Sequence, residues 1–520
     1  MLFARCQSAN PQTSKVFILL FSYSLLFFLN ACQFVSNLTG DDDGIPLPFN
    51  VEQAWRSADS TRQAQKGWMY ADTYTRPYYQ QPEPHLLWAT ERGIDERADT
   101  LLHYLREVDG YGLKTSSFHL EEIEQLLAEV RALVPDSCTE QEVSLLQGRL
   151  DYLLTESYIR YAYGQRYGYV RPHKLFNNLL PDAEPGQFRR IFDIRCDQPG
   201  DSLFKVALQK LEDLDDLGGF LEEVQPTGSL YLQLSAAYQE AKSAGNKERQ
   251  RLCAINLERS RWRYERPSGG KYVWVNLTDY MLQAVDTEAD SVLTMKVCIG
   301  DKRHKTPLLA SRINRLDFNP YWVIPTSIIK NELVPGHLND SSYYARNRIV
   351  AIDRNTDEQL SPWKLSANQL LSGRYTLRQE KGAGNSLGRM IFRFPNDFAV
   401  FLHDTNNPGA FSNAIRALSH GCVRVQKPLE LAVFLMDDPD EFTIDKMRIA
   451  IGKKPLSEKG LKQLEDEPDY EGMSSYSFSP SIPVYLDYYT LYPEPLGGNL
   501  KEHADNYGYD KEIEKILQQF

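Results

Sequence analysis

The sequence predicts an α+β multidomain protein, with an all-helical scaffold over residues 71–248 and a mainly β domain over residues 249–520. Three observations predict it. Up to about Ala244, apolar residues recur at the three- and four-residue spacing of a buried helix face. After Arg266-Pro267-Ser268-Gly269-Gly270 the pattern switches to short β-type runs. At 520 residues the chain can also build two to four separate cores.

The first 31 residues read as a signal peptide. Arg5 and Lys15 supply positive charge, and residues 16–29 are apolar apart from Ser22, Tyr23 and Ser24. That length suits an export signal and is short for a membrane span. Leu29-Asn30-Ala31-Cys32 resembles a bacterial lipobox, with Asn30 where a small or hydroxyl residue is commoner. Cys32 is then the lipidated residue. Gln33, not being aspartate, favours the outer membrane of the periplasm. The alternatives are an uncleaved inner-membrane signal anchor and ordinary cleavage. Residues 32–70, with Asp41-Asp42-Asp43-Gly44, Pro46 and Pro48, read as a tether.

Leu101, Leu102, Leu105 and Val108 predict the first scaffold helix, and Ile123, Leu126, Leu127 and Val130 the next. Val143, Leu146, Leu150, Leu153, Leu154, Tyr158 and Tyr161 hold one apolar face over five turns. Pro172, Pro181 and Pro185 break the pattern, and residues 203–221 and 230–244 restore it. In the second half, strands are expected at 272–276, 280–285, 292–299, 390–394, 399–402 and 484–491, and a helix at 429–436. Residues 332–375 are mixed helix and loop. Residues 453–479, charged and then serine-rich, are expected to be mobile.

The net charge of −12 comes from 70 acidic against 58 basic residues, with no Lys/Arg-rich block, which argues against a nucleic-acid partner. Aromatics reach 12%, including 30 tyrosines; they suit stacking on carbohydrate or peptide, or half-buried packing. Cys138, Cys196, Cys253 and Cys298 are too few for a disulfide framework, although one bridge is possible. C-x-x-C and H-E-x-x-H are absent, so no metal is expected.

Chemistry concentrates in Ala417-Leu418-Ser419-His420-Gly421-Cys422-Val423-Arg424-Val425. A nucleophilic thiol needs a base or a positive neighbour. His420 stands beside it, His403 lies 19 residues upstream at the end of the apolar run 398–402, and Arg424 adds charge. Gly421 permits a sharp turn, so the amides of Gly421 and Cys422 could converge as an oxyanion hole. Val423 and Val425 suggest a strand leaving the turn.

The segment from His403 to Arg424 resembles the H-x(15)-[ST]-H-G-C-x-[NR] signature of YkuD-type L,D-transpeptidases. Leu377 to Gly382, Asn385 to Asn396, Asn319 to Pro325, Asn256 to Trp262 and Pro483 to Thr490 are similar to landmarks of the large YcbB-like subgroup. The resemblance implies a bacterial cell-wall enzyme that needs no cofactor. Cys422 attacks the L-centre carbonyl of the third stem-peptide residue in a tetrapeptide donor, expels D-alanine and forms a thioester. A neighbouring amine acceptor resolves it as a 3→3 cross-link of peptidoglycan. His403 corresponds to the base, and Ser419, His420 and Gly421 to supporting residues. Arg424 corresponds to a substrate-carboxylate site, with a structural ion pair as the other reading. Cys422 is also where a carbapenem-type β-lactam would form an adduct. Residues 332–375 correspond to an inserted lid. The gap from Tyr231 to Asn256 is too short for the subgroup's peptidoglycan-binding module. The same site could serve an L,D-carboxypeptidase or endopeptidase, or attach a protein to the wall; a non-catalytic cell-wall scaffold is the remaining alternative.

Overall fold

The computed structural model describes residues 46–179, 188–212, 216–264, 269–337, 340, 342–493 and 498–520. The signal peptide, Cys32 and the first part of segment 32–70 lie outside them. The rest of that segment is not a tether. Helix α1 (Val51–Ala64), capped by Asn50, lies against α2 (Glu140–Tyr167). Its buried face is Ala54, Trp55, Ser57 and Ala58. Three of these are small, which is why hydropathy missed it. A Cβ on Gly148 of α2 would come within 2.0 Å of the Ala54 carbonyl, so the backbones meet where neither helix has bulk.

Helix α2 is the axis of the scaffold. A Thr139–Glu142 capping box starts it, and residues 150–165 are buried all round. A helical hairpin follows, α3 (Ser229–Ser243) and α4 (Lys247–Arg261), joined by residues 244–246. The expected domain boundary at 248/249 therefore falls inside a helix. α4 packs on both α2 and α5 (Tyr509–Leu517), so it belongs to the junction between the two halves.

Eight strands close into a barrel: β1 (Lys271–Asn276), β2 (Met281–Asp286), β3 (Ser291–Gly300), β4 (Leu308–Phe318), β5 (Met390–Arg393), β6 (Leu402–His403), β7 (Val423–Val425) and β8 (Ser475–Asp487). Their order is β5-β6-β7-β3-β2-β1-β8-β4, and β4 pairs β5 again to close the ring. β6–β7 and β8–β1 are parallel and the other pairs antiparallel. Val273, Val275, Leu282, Ala284, Val297, Ile299, Leu316, Phe392, Leu402, Val423, Val425, Val484 and Leu486 fill one core.

Three local expectations change. The strand expected at 399–402 is shorter and later, because Ala399 takes φ +52° and β6 begins only at Leu402. Residues 453–479 are ordered: Ser457 caps a helix, Glu458–Asp466, the buried Asp445 carboxylate accepts from the Leu456 and Ser457 amides, and β8 begins at Ser475. The insertion is wider than 332–375 and contains strands. Trp322–Val323, Ile349–Asp353, Gln359–Leu360 and Tyr375–Gln379 form a separate four-stranded antiparallel sheet. Its own core holds Ile324, Ile329, Leu333, Tyr344, Leu370 and Leu377.

The segment from Asn256 to Trp262 is the polar hub of the junction. Glu258 and Arg261, both within 1% exposure, pair at 3.3 Å. Glu258 accepts from the Val170 amide and the Trp262 indole, while Arg261 reaches Gln165 of α2. Arg259 pairs with Asp510 of α5 at 2.6 Å, and Asn256 bonds Thr490. Breaking one partner of such a buried pair typically costs about 3–5 kcal/mol. Arg261→Met should lower the urea midpoint accordingly, and Glu258→Gln/Arg261→Met, which removes the orphaned charge but keeps an acceptor for the Val170 amide and the Trp262 indole, should recover part of the loss. Equal destabilisation in single and double variants would show that the pair itself is not what holds the junction.

Candidate active site

The site is built on the parallel pair β6–β7, where Leu402 lies opposite Val423 and His403 opposite Arg424. Side chains alternate along a strand. Leu402, Val423 and Val425 enter the barrel core, which puts His403, Arg424 and, one residue before β7, Cys422 on the other face.

Backbone bonds lock the turn before β7. The Ser419 hydroxyl donates to the Cys422 carbonyl at 2.5 Å and accepts from the Gly421 amide at 3.1 Å. Gly421 has φ +119°, a conformation that a side chain would strain. Its amide is therefore occupied, and the two converging amides expected from sequence reduce to one. The Cys422 amide has no hydrogen-bond partner among the described residues. The Cys422 thiol faces the loop before β6: it points at the Ala399 carbonyl, 3.8 Å away, and the Phe401 amide points at the sulfur. Asn396 shapes this loop by accepting from the Phe398 and Val400 amides.

Burial pushes the Cys422 thiol above its usual range, and the Phe401 amide and Arg424 only partly offset it. His403 is 3% exposed. Burial first, and then the Arg424 charge, depress its imidazole to about 4, against the opposing pull of the Asp404 and Leu387 carbonyls. Its Nδ1–H donates to the Asp404 carbonyl at 2.6 Å, leaving the lone pair on Nε2. The resting pair is thus neutral thiol and neutral imidazole. No hydrogen bond joins Cys422 to His403; the two are related by strand register and by the guanidinium that acts on both.

Arg424 makes no ion pair among the described residues, and its Nε is buried without a hydrogen-bond partner. His420 points elsewhere. Its Nε2 pairs with Glu332 at 2.6 Å, and its ring lies 4.7 Å from that of His304. Glu332 sits on a π-helical turn, Ile329–Leu333, of the inserted subdomain. The insertion therefore touches the cysteine turn directly. Sequence reasoning missed Glu332, His304, Gly300 and Thr306. Gly300 could have been suspected as the last residue of a strand run; a Cβ there would meet the His304 carbonyl at 2.0 Å and Gly421 Cα at 3.1 Å. No group of three His, Cys, Asp or Glu side chains suited to a metal occurs among the described residues. The five described cysteines are free thiols.

A thiol on a glycine turn shares one strand face of a β-barrel domain with a buried imidazole and an unpaired guanidinium. Residues 270–456, which contain all of these groups, match the YkuD family, the L,D-transpeptidase catalytic domain. Residues 73–237 match a scaffold domain family. The mainly β half of the chain is thus similar to L,D-transpeptidase catalytic domains, and the helical half before it to a scaffold domain. A protein of Haemophilus influenzae named "Putative L,D-transpeptidase" is 29% identical over 242 residues, which is 46% of this chain and 45% of that protein. The chain matches less than half the length of that relative.

Proposed function

We propose that the protein is a peptidoglycan L,D-transpeptidase of the YcbB-like kind, forming 3→3 cross-links through a thioester on Cys422. The observation that carries this reading is the shared face of Cys422, His403 and the unpaired Arg424 in a domain of this family. The Cys422 sulfur adds to the carbonyl carbon of the third stem residue. His403 takes the thiol proton and returns it to the leaving amine, so D-alanine departs as the C–N bond breaks. An acceptor amine then adds to the thioester, loses a proton to the base and expels the sulfur. Arg424 receives the terminal carboxylate of a tetrapeptide. Neutralising that guanidinium removes one of the two influences that depress His403, so donor binding raises the basicity of the imidazole.

The lid reading rests on the Glu332–His420 contact. A cover over the turn excludes water and favours an amine over hydrolysis. The test is incubation of the protein with disaccharide-tetrapeptides and tandem mass spectrometry of the products. Dimers joined between two third-position residues, with one D-alanine released per link, are expected; a pentapeptide should be a poor donor, because its carboxylate lies one residue further on. Tripeptide monomers without dimers would instead indicate a carboxypeptidase.

We also propose that Cys32 anchors the chain to the membrane facing the periplasm. Cys32→Ser should abolish palmitate labelling and release the protein from membranes. Continued labelling of the variant would refute this anchor.

A further inference from the structure

The cysteine turn is held from behind by a side chain outside the 403–424 segment. Thr306 is fully buried. Its hydroxyl accepts from the Gly300 amide at 2.9 Å and donates to the Gly421 carbonyl at 2.8 Å. Both directions of this hydroxyl are therefore used, and its orientation is fixed. The Thr306 amide in turn donates to the Tyr507 hydroxyl at 3.1 Å, and that hydroxyl donates to the Gly300 carbonyl at 2.7 Å. Tyr507 is braced by stacking on Tyr488, whose own hydroxyl accepts from the Tyr507 amide.

The consequence follows from peptide geometry. The Gly421–Cys422 bond is trans, since the chain's cis peptide among the described residues is Ser479–Pro480. In a trans peptide the carbonyl and the following N–H point in opposite directions. Fixing the Gly421 carbonyl on Thr306 turns the Cys422 amide the other way. That amide is the one of the two turn amides without a partner, because Ser419 holds the Gly421 N–H. Gly421 at φ +119° has the freedom to rotate this peptide, so an external restraint is needed to keep it in one orientation.

We propose that Thr306, itself placed by Tyr507, is a positioning residue that aims the Cys422 amide at the oxyanion formed when the thiol adds to a carbonyl. This rests on the acyl-transfer reading of Cys422. As the sulfur–carbon bond forms, the carbonyl π pair moves onto oxygen, and the Cys422 N–H stabilises that charge until the pair returns and the C–N bond breaks. Such donors are worth about 10²–10³ in rate when removed outright.

Two reactions of the same thiol separate aiming from mere folding. Acylation by a carbapenem passes through an oxyanion; alkylation by iodoacetamide displaces iodide and does not. In the full chain, Thr306→Val should slow acylation by about tenfold or more while alkylation stays within about twofold. Thr306→Ser, which keeps the hydroxyl, should restore acylation. Tyr507→Phe should slow acylation selectively but less, and it decides the question if Thr306→Val does not fold. Parallel loss of both reactions, or an unchanged ratio in a wild-type background that acylates, overturns the positioning role alone. A wild-type protein that alkylates but never acylates overturns the acyl-transfer reading and the inference with it.

Discussion

Cys422→Ala should leave no covalent mass adduct after incubation with a carbapenem, and no turnover of tetrapeptide. The expected effect is complete because no other described thiol shares the site. Cys196 and Cys253 are buried with their thiols pushed up to about 12 and about 11. Cys298 lies opposite Arg424 in β3, but it is fully buried within the barrel wall and its thiol is also raised. Cys138 is also a half-exposed free thiol, but it lies in the helical half just before α2 and outside the β-barrel. The resting thiol should also show its raised pKa: its alkylation rate should keep rising with pH beyond the usual cysteine range, rather than level off near neutrality. Intact-mass spectra check both points, and an adduct persisting in Cys422→Ala would place the nucleophile elsewhere.

The second large effect is expected at His403. His403→Ala should reduce turnover by about 10²–10⁴, the usual worth of a general base, whereas His420→Ser should cost far less. The structural ground is position. His403 lies opposite Arg424 on the nucleophile's face, and its Nδ1 proton is committed to the Asp404 carbonyl. His420 is 43% exposed and committed to Glu332; an exposed pair of this kind is worth about 0–1 kcal/mol. The free imidazole sits at about 4, so it is unprotonated, and competent as a base, above that pH. The acid limb of kcat/KM, which reports the free enzyme, should therefore lie near 4. The acid limb of kcat should lie higher, because bound carboxylate offsets Arg424 in the complex. Equal damage from the two substitutions, or coincident acid limbs, would contradict this division of roles.

The candidate segment stands out in the sequence because its reactive groups run along the chain. Ser419, His420, Gly421, Cys422 and Arg424 sit within six residues, and a strand supplies the alternation that sorts them into faces. The scaffold was legible wherever a helix face is built from Leu, Ile and Tyr, as along Leu150, Leu153, Leu154 and Tyr158. It was illegible at α1, where Ala54, Ser57 and Ala58 make the contact and the close fit depends on Gly148 of another helix. Likewise, Thr306 and Tyr507 act on backbone groups 115 and 207 residues away, and such pairing leaves no periodicity to read. β8 was recognised only from 484 on, because Ser475 to Pro483 carries four serines and two prolines, and its pairing with β4 shifts register between Ser477 and Ile482.

That late strand has a kinetic meaning. β8 lies between β1 and β4, joining segments laid down about two hundred residues earlier, and without it the ring stays open. A chain emerging from its N-terminus can pair α1 with α2 once residue 167 is made, but it must hold an unclosed sheet until residues 475–487 arrive. Bridging that separation carries a loop-closure cost before any pairing rewards it. The thiol turn is translated long before its surroundings are complete, and Tyr507 reaches Thr306 later still. The surroundings of the Cys422 turn are therefore completed late, as a product of assembly and not of synthesis.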